Sequence, residues 1–191
     1  MYRKINDKRA VLSQKLIYKA LADIMHEKEF EKITITEVVE KAEVARSTFY
    51  RNFDNLHDVL KLATDQLFEE LAKSIKEYYA SEKFDGHQLF LKPFLRFFYE
   101  DSELIELLVH ARYYEVLLDA MGNMYANLID KDSLSDGEIT EHFGYFVASR
   151  KNLAISILVE WIKNGKDILP DDLAEVIYTQ FQEAYERNVL M

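Results

Sequence analysis

The chain has 191 residues, and its 49% hydrophobic and 30% charged residues describe a folded protein rather than a disordered one. It contains no cysteine, which excludes disulfides, thiolate zinc sites and iron–sulfur clusters. Five glycines and two prolines leave few turn formers, so we expect an all-α fold of long helices. No apolar run reaches the roughly 20 residues that span a bilayer, and the start lacks a secretion signal, so we expect a cytoplasmic protein with no membrane partner.

The net charge of −10 conceals a difference between two parts of the chain. Residues 1–62 hold 12 Lys and Arg against 10 Asp and Glu, a net charge of +2. Residues 63–191 hold 12 Lys and Arg against 24 Asp and Glu, a net charge of −12. A mildly basic head followed by an acidic body indicates two functions in one chain, and we predict a domain boundary after residue 62.

The head begins with two predicted helices. Apolar residues recur at helical spacing over residues 8–28 and predict an amphipathic helix. A polar break over residues 27–32 should follow. Thr34 and Glu37 then form a capping-box pattern, which predicts a short second helix that runs to about Ala42.

A third short helix is predicted over residues 46–52, where hydrogen-bonding side chains surround the apolar Phe49. Phe53 should pack inward, and Asn55 should cap a fourth helix. Two short helices joined by a tight turn, the second of them polar, form a helix-turn-helix over about residues 33–53. Such a helix fits the major groove, where its side chains meet base edges and phosphates. The spacing alone leaves a purely structural role open.

The sequences ITITEVVEKA at residues 33–42 and TFYRNF at residues 48–53 resemble the TetR family of bacterial transcriptional regulators. The resemblance covers about residues 8–68. It implies an all-helical homodimer, with a three-helix DNA-binding domain at residues 1–62. It also implies that residues 63–191 form a helical domain for effector binding and dimerisation.

The resemblance assigns DNA contacts to seven residues. Thr36 matches a position that often touches phosphate, and Tyr50 and Arg51 match positions that commonly hold the DNA backbone. Base contacts are usual at the exposed start of the third helix, which here consists of Arg46, Ser47 and Thr48. We also expect His57, early in the fourth helix, to reach phosphate.

Three positions depart from the family pattern. Glu43 stands in the turn where the family usually has Gly, and Ala45 stands where a capping Ser is frequent. Leu56 replaces a Lys that is often found early in the fourth helix. Since these changes affect the turn and the backbone contacts, an alternative stays open: a TetR-like protein-interaction module that has lost DNA binding.

The body is predicted as helices throughout, starting with a fourth helix from Asn55 to about Ala80. Further helices are predicted over residues 85–100, 104–111, 112–129, 138–163 and 170–187, with polar breaks at 81–86 and 130–137. Pro93 should kink or divide the first of them. The last two helices carry wide apolar faces. The resemblance implies that they pair with their copies from a second subunit, although such faces also fill a monomer's own core.

The middle of the body is rich in aromatic residues, and in the family this region surrounds the effector cavity. An aromatic pocket with a few polar groups suits a flat or apolar small molecule. The candidate contacts are Phe94, Phe98, His110, Arg112, Tyr113 and Tyr114, with Arg96 as a further polar candidate. The alternative is that the aromatic residues only form core. Residues 157–165, ILVEWIKNG, resemble a Firmicutes-type C-terminal branch of the family, which includes an activator of dihydroxyacetone kinase genes.

Motifs for catalysis are missing from the sequence. The five histidines lie far apart, and Glu106 with His110 is a single pair rather than a metal site. There is no Gly-rich phosphate loop and no nucleophile motif. We therefore expect no enzyme activity, no metal and no cofactor. The expected function is a ligand-responsive regulator, by family default a repressor, that binds a near-palindromic double-stranded DNA operator as a homodimer.

Overall fold

The computed structural model describes residues 7–81, 90–128 and 142–186. Within these ranges the chain forms nine α-helices and a single 3-10 turn at Phe30–Lys32, with no strand, which confirms the predicted all-α fold. The helices are α1 (Lys8–Met25), α2 (Ile35–Lys41), α3 (Arg46–Asn52), α4 (Leu56–Ser81), α5 (Leu91–Glu100), α6 (Glu103–His110), α7 (Tyr114–Leu128), α8 (Phe143–Lys163) and α9 (Pro170–Glu186). No helix in these ranges has the length and apolar character to cross a membrane.

Two predictions in the body are wrong in detail. Helix α5 begins at Leu91, so Pro93 lies in its first turn and neither kinks nor divides it, because N–H groups there need no intrahelical partner. Arg112 does not start a helix, because it adopts a left-handed φ of 55° in the turn after α6. The predicted break after Ser81 and the predicted loop at residues 130–137 lie outside the described residues, as do residues 85–89 and 138–141 of two predicted helices.

The helices pack into two compact units. The first unit comprises the residues up to Leu67 together with Glu103–Ala120. The second comprises Phe68–Ser102 together with the residues from Met121 on. The sequence predicted two continuous segments divided at residue 62. The first unit instead consists of two separate segments, because it includes α6 and the start of α7. The division by function stays a prediction.

In the first unit, α1 lies against α2, α3 and α6. Ile17 and Leu21 of α1 are fully buried, as are Phe49 of α3 and Ile105 of α6. In the second unit, α5 packs against α9, and two bonds of 2.6 Å from Arg96 to the carboxylate of Asp171 join them. The second unit therefore uses Arg96 for an interhelical ion pair.

The predicted capping box at the start of α2 is confirmed. The Glu37 N–H donates to Thr34 Oγ1 at 3.3 Å, and the Thr34 N–H donates to Glu37 Oε2 at 2.8 Å. Lys28 Nζ also donates to Glu37 Oε1 at 2.7 Å. The bond from Lys28 and then the bonds from Thr34 hold the pKa of Glu37 at about 2, well below its usual 4.5. Charge on Glu37 therefore favours the start of α2.

This depressed pKa predicts an acid-sensitive contribution to stability. A carboxyl whose pKa is lower in the folded state stabilises the fold above its unfolded pKa, and the contribution disappears as pH falls. Glu37→Gln should therefore destabilise the protein at neutral pH, and its difference from wild type should shrink between pH 4.5 and about 2. Urea midpoints over this range measure it. Lys28→Gln removes the largest cause of the lowered pKa, so the pH range over which Glu37 loses its contribution to stability should become narrower. A stability difference between Glu37→Gln and wild type that does not change with pH would contradict the role of the Glu37 charge.

Three helices end in the same way. After α2, the N–H groups of Glu43 and Val44 donate back to the carbonyl oxygens of Glu40 and Val39. The same pair of bonds follows α6 and α8. In each case the first residue after the C-cap has a left-handed backbone, with φ of 52° at Glu43, 55° at Arg112 and 71° at Gly165. This pattern is the Schellman motif, which usually places Gly at that position. The sequence predicted the stop at Gly165, and the other two carry a side chain there.

Replacing Glu43 by Gly should stabilise the protein. A left-handed φ costs an L-residue about 1–2 kcal/mol, and the extra freedom of Gly in the unfolded chain offsets part of that gain, so we expect about 0.5–1 kcal/mol. Urea denaturation measures the change. The matched control is Ala42→Gly, at the preceding residue with a φ of −78°, which should destabilise. Loss of stability in both variants would contradict the account of the turn.

Candidate nucleic-acid interface

Helix α3 presents two different faces. Its inner face is formed by Phe49 and Asn52, of which 0% and 1% of the surface is exposed. Its outer face consists of polar side chains, which are exposed at Arg46, Ser47, Tyr50 and Arg51 and half-buried at Thr48. All five predicted contact residues of this helix therefore reach solvent at least in part.

The inner face of α3 is attached to α1 by a buried polar contact that the sequence analysis missed. Gln14 Nε2 donates to Asn52 Oδ1 at 3.3 Å, and Asn52 Nδ2 donates to the Thr48 carbonyl oxygen at 2.8 Å. Gln14 precedes Ile17 and Leu21 by three and seven residues, so it lies on the apolar stripe of α1. A polar residue on such a stripe signals a buried partner.

On the outer face, Arg46 is held by two hydroxyl groups. Its Nη1 donates to Thr36 Oγ1 at 3.1 Å, and its Nη2 donates to the Tyr50 hydroxyl at 3.2 Å. The guanidinium carbon lies 5.5 Å from the centroid of the Tyr50 ring. Since Thr36 belongs to α2, this arginine cluster (Thr36, Arg46 and Tyr50) joins both helices of the helix-turn-helix. The structure thus brings three of the seven predicted residues together.

The arginine cluster has the chemistry of a polyanion-binding surface. Both partners of Arg46 are neutral, so its positive charge is not cancelled by them. A hydroxyl that accepts a hydrogen bond keeps its own proton, so the O–H groups of Thr36 and Tyr50 are not used in these two bonds. Their donation to phosphate stays a prediction.

The departures at Glu43 and Ala45 do not prevent the motif from forming. The turn keeps both of its Schellman bonds with Glu43 in the left-handed position. Ala45 provides no side-chain cap to α3, yet the helix starts at Arg46 as predicted, with the Thr48 N–H donating to the Ala45 carbonyl oxygen at 2.8 Å. At the next helix, Asn55 Oδ1 accepts from the Asp58 N–H at 3.0 Å, which confirms the predicted cap.

His57 lies in a different environment from the arginine cluster. Its ring packs edge-on against Phe30 and Tyr113, with centroids 4.9 Å away in both cases, although the residue remains exposed. Phe30 is buried in a segment that the sequence analysis interpreted as a polar break. A role for His57 in phosphate binding stays a prediction, and its aromatic contacts within the first unit are the structural finding.

The predicted effector contacts are divided between the two units. Phe94 and Phe98 belong to the second unit, where both are fully buried and their ring centroids lie 5.1 Å apart. The other four candidates, His110, Arg112, Tyr113 and Tyr114, belong to the first unit. Their role in binding an effector stays a prediction.

The aromatic region of the second unit continues beyond these two phenylalanines. Phe90 stacks on Phe94 at 5.3 Å and contacts Tyr125 at 5.0 Å. Burial raises the pKa of the Tyr125 phenol, and burial followed by the nearby Tyr78 raises the pKa of Tyr79 to about 12. Both phenols therefore stay protonated. As for metals, within residues 7–81, 90–128 and 142–186 no group of three or more His, Asp or Glu side chains has the arrangement of a metal site.

Comparison with solved structures identifies the fold. A protein from Listeria innocua superposes with a TM-score of 0.74 and 22% identity, covering 97% of this chain and 96% of that one. A TetR-family transcriptional regulator from Syntrophomonas wolfei superposes with a TM-score of 0.61 and 20% identity, covering 91% and 94%. The chain has the fold of TetR-family regulators.

Sequence comparison adds one relative to this TetR-type fold. The dhaKLM operon transcriptional activator DhaS of Lactococcus lactis is 31% identical over 75 residues, which are 39% of this chain. The match spans 40% of that relative's own length. No protein-family model matches the chain.

Proposed function

We propose that this protein is a DNA-binding transcriptional regulator of the TetR family. The observation that carries the proposal is α3 itself, which is fixed by Phe49 and Asn52 on one side and exposes the arginine cluster on the other. The TetR-type fold and the sequence relative that is named a transcriptional activator support it. DNA as the partner is also the reason to expect a cytoplasmic protein.

We further propose that the regulator acts as a homodimer through α8 and α9. Leu153 on α8 and Val176 and Phe181 on α9 are exposed at 37%, 43% and 42%, so these two helices offer large apolar side chains that a second copy would cover. In such a dimer, two copies of α3 enter successive major grooves about 34–36 Å apart, so the operator is near-palindromic. Sedimentation at micromolar concentration should give twice the chain mass, and Phe181→Glu should give the monomer.

The regulator is proposed to respond to a small molecule bound in the body. Such a ligand shifts DNA affinity only as far as it binds the two conformations of the dimer differently. Repression is the direction we propose, although the relative from L. lactis is named an activator. A reporter gene placed behind a promoter that the purified protein binds distinguishes repression from activation. Expression is compared with the regulator gene present and deleted, and higher expression after deletion supports repression.

Selection of genomic DNA fragments by the purified protein tests DNA binding. We expect enrichment of a near-palindromic sequence and a steep loss of affinity with salt. Arg46→Ala and Arg51→Ala should each weaken binding, and loss of a phosphate contact should lower the salt slope by about 1. Lys76→Ala removes the same charge from an exposed position of α4 in the second unit, outside α8 and α9, and is the matched control. Absence of any enriched sequence would favour the interaction module without DNA binding.

A further inference from the structure

We propose that Tyr50 and Thr36 position Arg46 to read a guanine, which makes Tyr50 a specificity-determining residue rather than only a contact to the DNA backbone. The inference rests on the proposed function, because it concerns the base that the DNA-binding surface prefers. The family resemblance implied other roles, in which Thr36 and Tyr50 hold the DNA backbone and Arg46 contacts bases together with Ser47 and Thr48.

The guanidinium of Arg46 is held at two points. A free surface arginine loses rotamer entropy when it is fixed on DNA. Here two hydroxyl groups on two helices already fix the guanidinium in the absence of DNA. The cost of ordering is thus met on folding, and a preorganised side chain binds its target more tightly.

Tyr50 is itself held in place by the buried Phe49. Its ring packs edge-on against Phe49, with centroids 5.6 Å apart, and Phe49 is fully buried. Tyr50 also lies four residues after Arg46, one turn along α3, where side chains on the same helix face meet. The position of the guanidinium therefore follows from the core of the first unit.

The guanidinium of Arg46 keeps hydrogen-bond donors beyond those that Thr36 and Tyr50 use. A guanidinium has five N–H donors, and the two bonds to Thr36 and Tyr50 use two of them. Three donors are left, and two suffice for the bidentate pair to O6 and N7 of guanine, the commonest specific contact of arginine in the major groove. Adenine, cytosine and thymine offer no pair of acceptors at those positions.

The test compares base preference between the wild type and four variants. Wild type, Arg46→Ala, Arg46→Lys, Tyr50→Phe and Thr36→Val select duplexes from a random library, and dissociation constants are measured on the selected duplex with each base at each position. Tyr50→Phe keeps the ring on Phe49 and removes only the hydroxyl. Tyr99→Phe, in the second unit at 43% exposure against 42% for Tyr50, is the matched control.

We expect Arg46→Ala to abolish a guanine preference of roughly 5- to 150-fold at one position of each half-site. Arg46→Lys should reduce that preference without abolishing it, because an ammonium still donates to guanine but lacks the planar fork. Tyr50→Phe and Thr36→Val should each reduce that preference about 2- to 10-fold. In a protein that already carries Arg46→Ala, adding Tyr50→Phe or Thr36→Val should not change the guanine preference further. Tyr99→Phe should leave the guanine preference of the wild type intact. Because each preference is a ratio measured on one protein, partial unfolding of a variant cancels.

Two results would overturn the inference. If Tyr50→Phe weakened the binding of all duplexes by the same factor, Tyr50 would act only as a hydrogen-bond donor to phosphate. An Arg46-dependent position that prefers a base other than guanine would exclude the bidentate contact. Failure of the proposed function gives a different result, since the wild-type protein would then enrich no sequence from the library.

Discussion

Phe49→Ala should lower the free energy of unfolding of the first unit by about 3–5 kcal/mol, the range for deletion of a buried aromatic ring. Phe49 is fully buried, its ring contacts Phe53 at 5.7 Å, and it supports the Tyr50 ring. Since a domain is stable by about 5–15 kcal/mol in total, this loss should leave α3 poorly ordered. Urea denaturation followed by circular dichroism measures the change, and DNA binding should fall with it.

The control for this variant is Leu12→Ala in the same unit. Leu12 is 60% exposed on α1, so its truncation should change stability by no more than about 0.5 kcal/mol. Equal losses in the two variants, or retention of wild-type DNA affinity by Phe49→Ala, would contradict the assignment of Phe49 as the support of α3.

Trp161→Ala should destabilise the second unit by a similar amount, about 3–5 kcal/mol. The indole is 97% buried, its ring stacks on Tyr99 at 6.0 Å, and its Nε1 donates to the Ile168 carbonyl oxygen at 2.9 Å across the α8–α9 turn. The substitution removes the packing and also leaves that carbonyl without its donor. Thermal and urea unfolding monitored by circular dichroism give the loss.

Two further variants separate the contributions of Trp161. Trp161→Phe keeps a ring but removes the N–H, so it should cost less than alanine and still more than about 1 kcal/mol. Ser156→Ala, exposed on the same helix, should change stability by no more than about 0.5 kcal/mol. If Trp161→Phe matched wild type, the bond to Ile168 would not contribute to the turn.

Local sequence signals predicted the helices of the head with good accuracy. The capping box of Thr34 and Glu37 and the cap at Asn55 are both present, and α3 has the predicted bounds. These signals are short-range, because a capping side chain satisfies N–H groups only two or three residues away. The polar face of α3 was also predictable, because the hydrogen-bonding side chains that surround Phe49 are local in the sequence.

Long-range contacts were not predictable in the same way. Gln14 and Asn52 are 38 residues apart, and neither reveals its partner through helical periodicity. Phe30 looked like part of a polar segment, but its ring is buried and contacts His57 and Tyr113. The inclusion of Glu103–Ala120 in the first unit likewise depends on packing between distant segments.

Helix ends without Gly were the other failure of local reasoning. Arg112 takes the left-handed position after α6, where propensity favours Gly or Asn, so the sequence predicted that α7 would begin there. The two Schellman bonds offset the local strain, and Tyr113 is placed against Phe30 by the same turn.

The most direct measurement of the central claim is an NMR titration of the full-length protein with the duplex recovered by selection. If α3 binds DNA, the backbone amide signals of residues 46–52 and of Thr36 should shift most strongly. Those of α9 should stay close to their free positions. Shifts confined to the second unit, with the signals of α3 unchanged at saturating duplex, would contradict the assignment of α3 as the DNA-binding element.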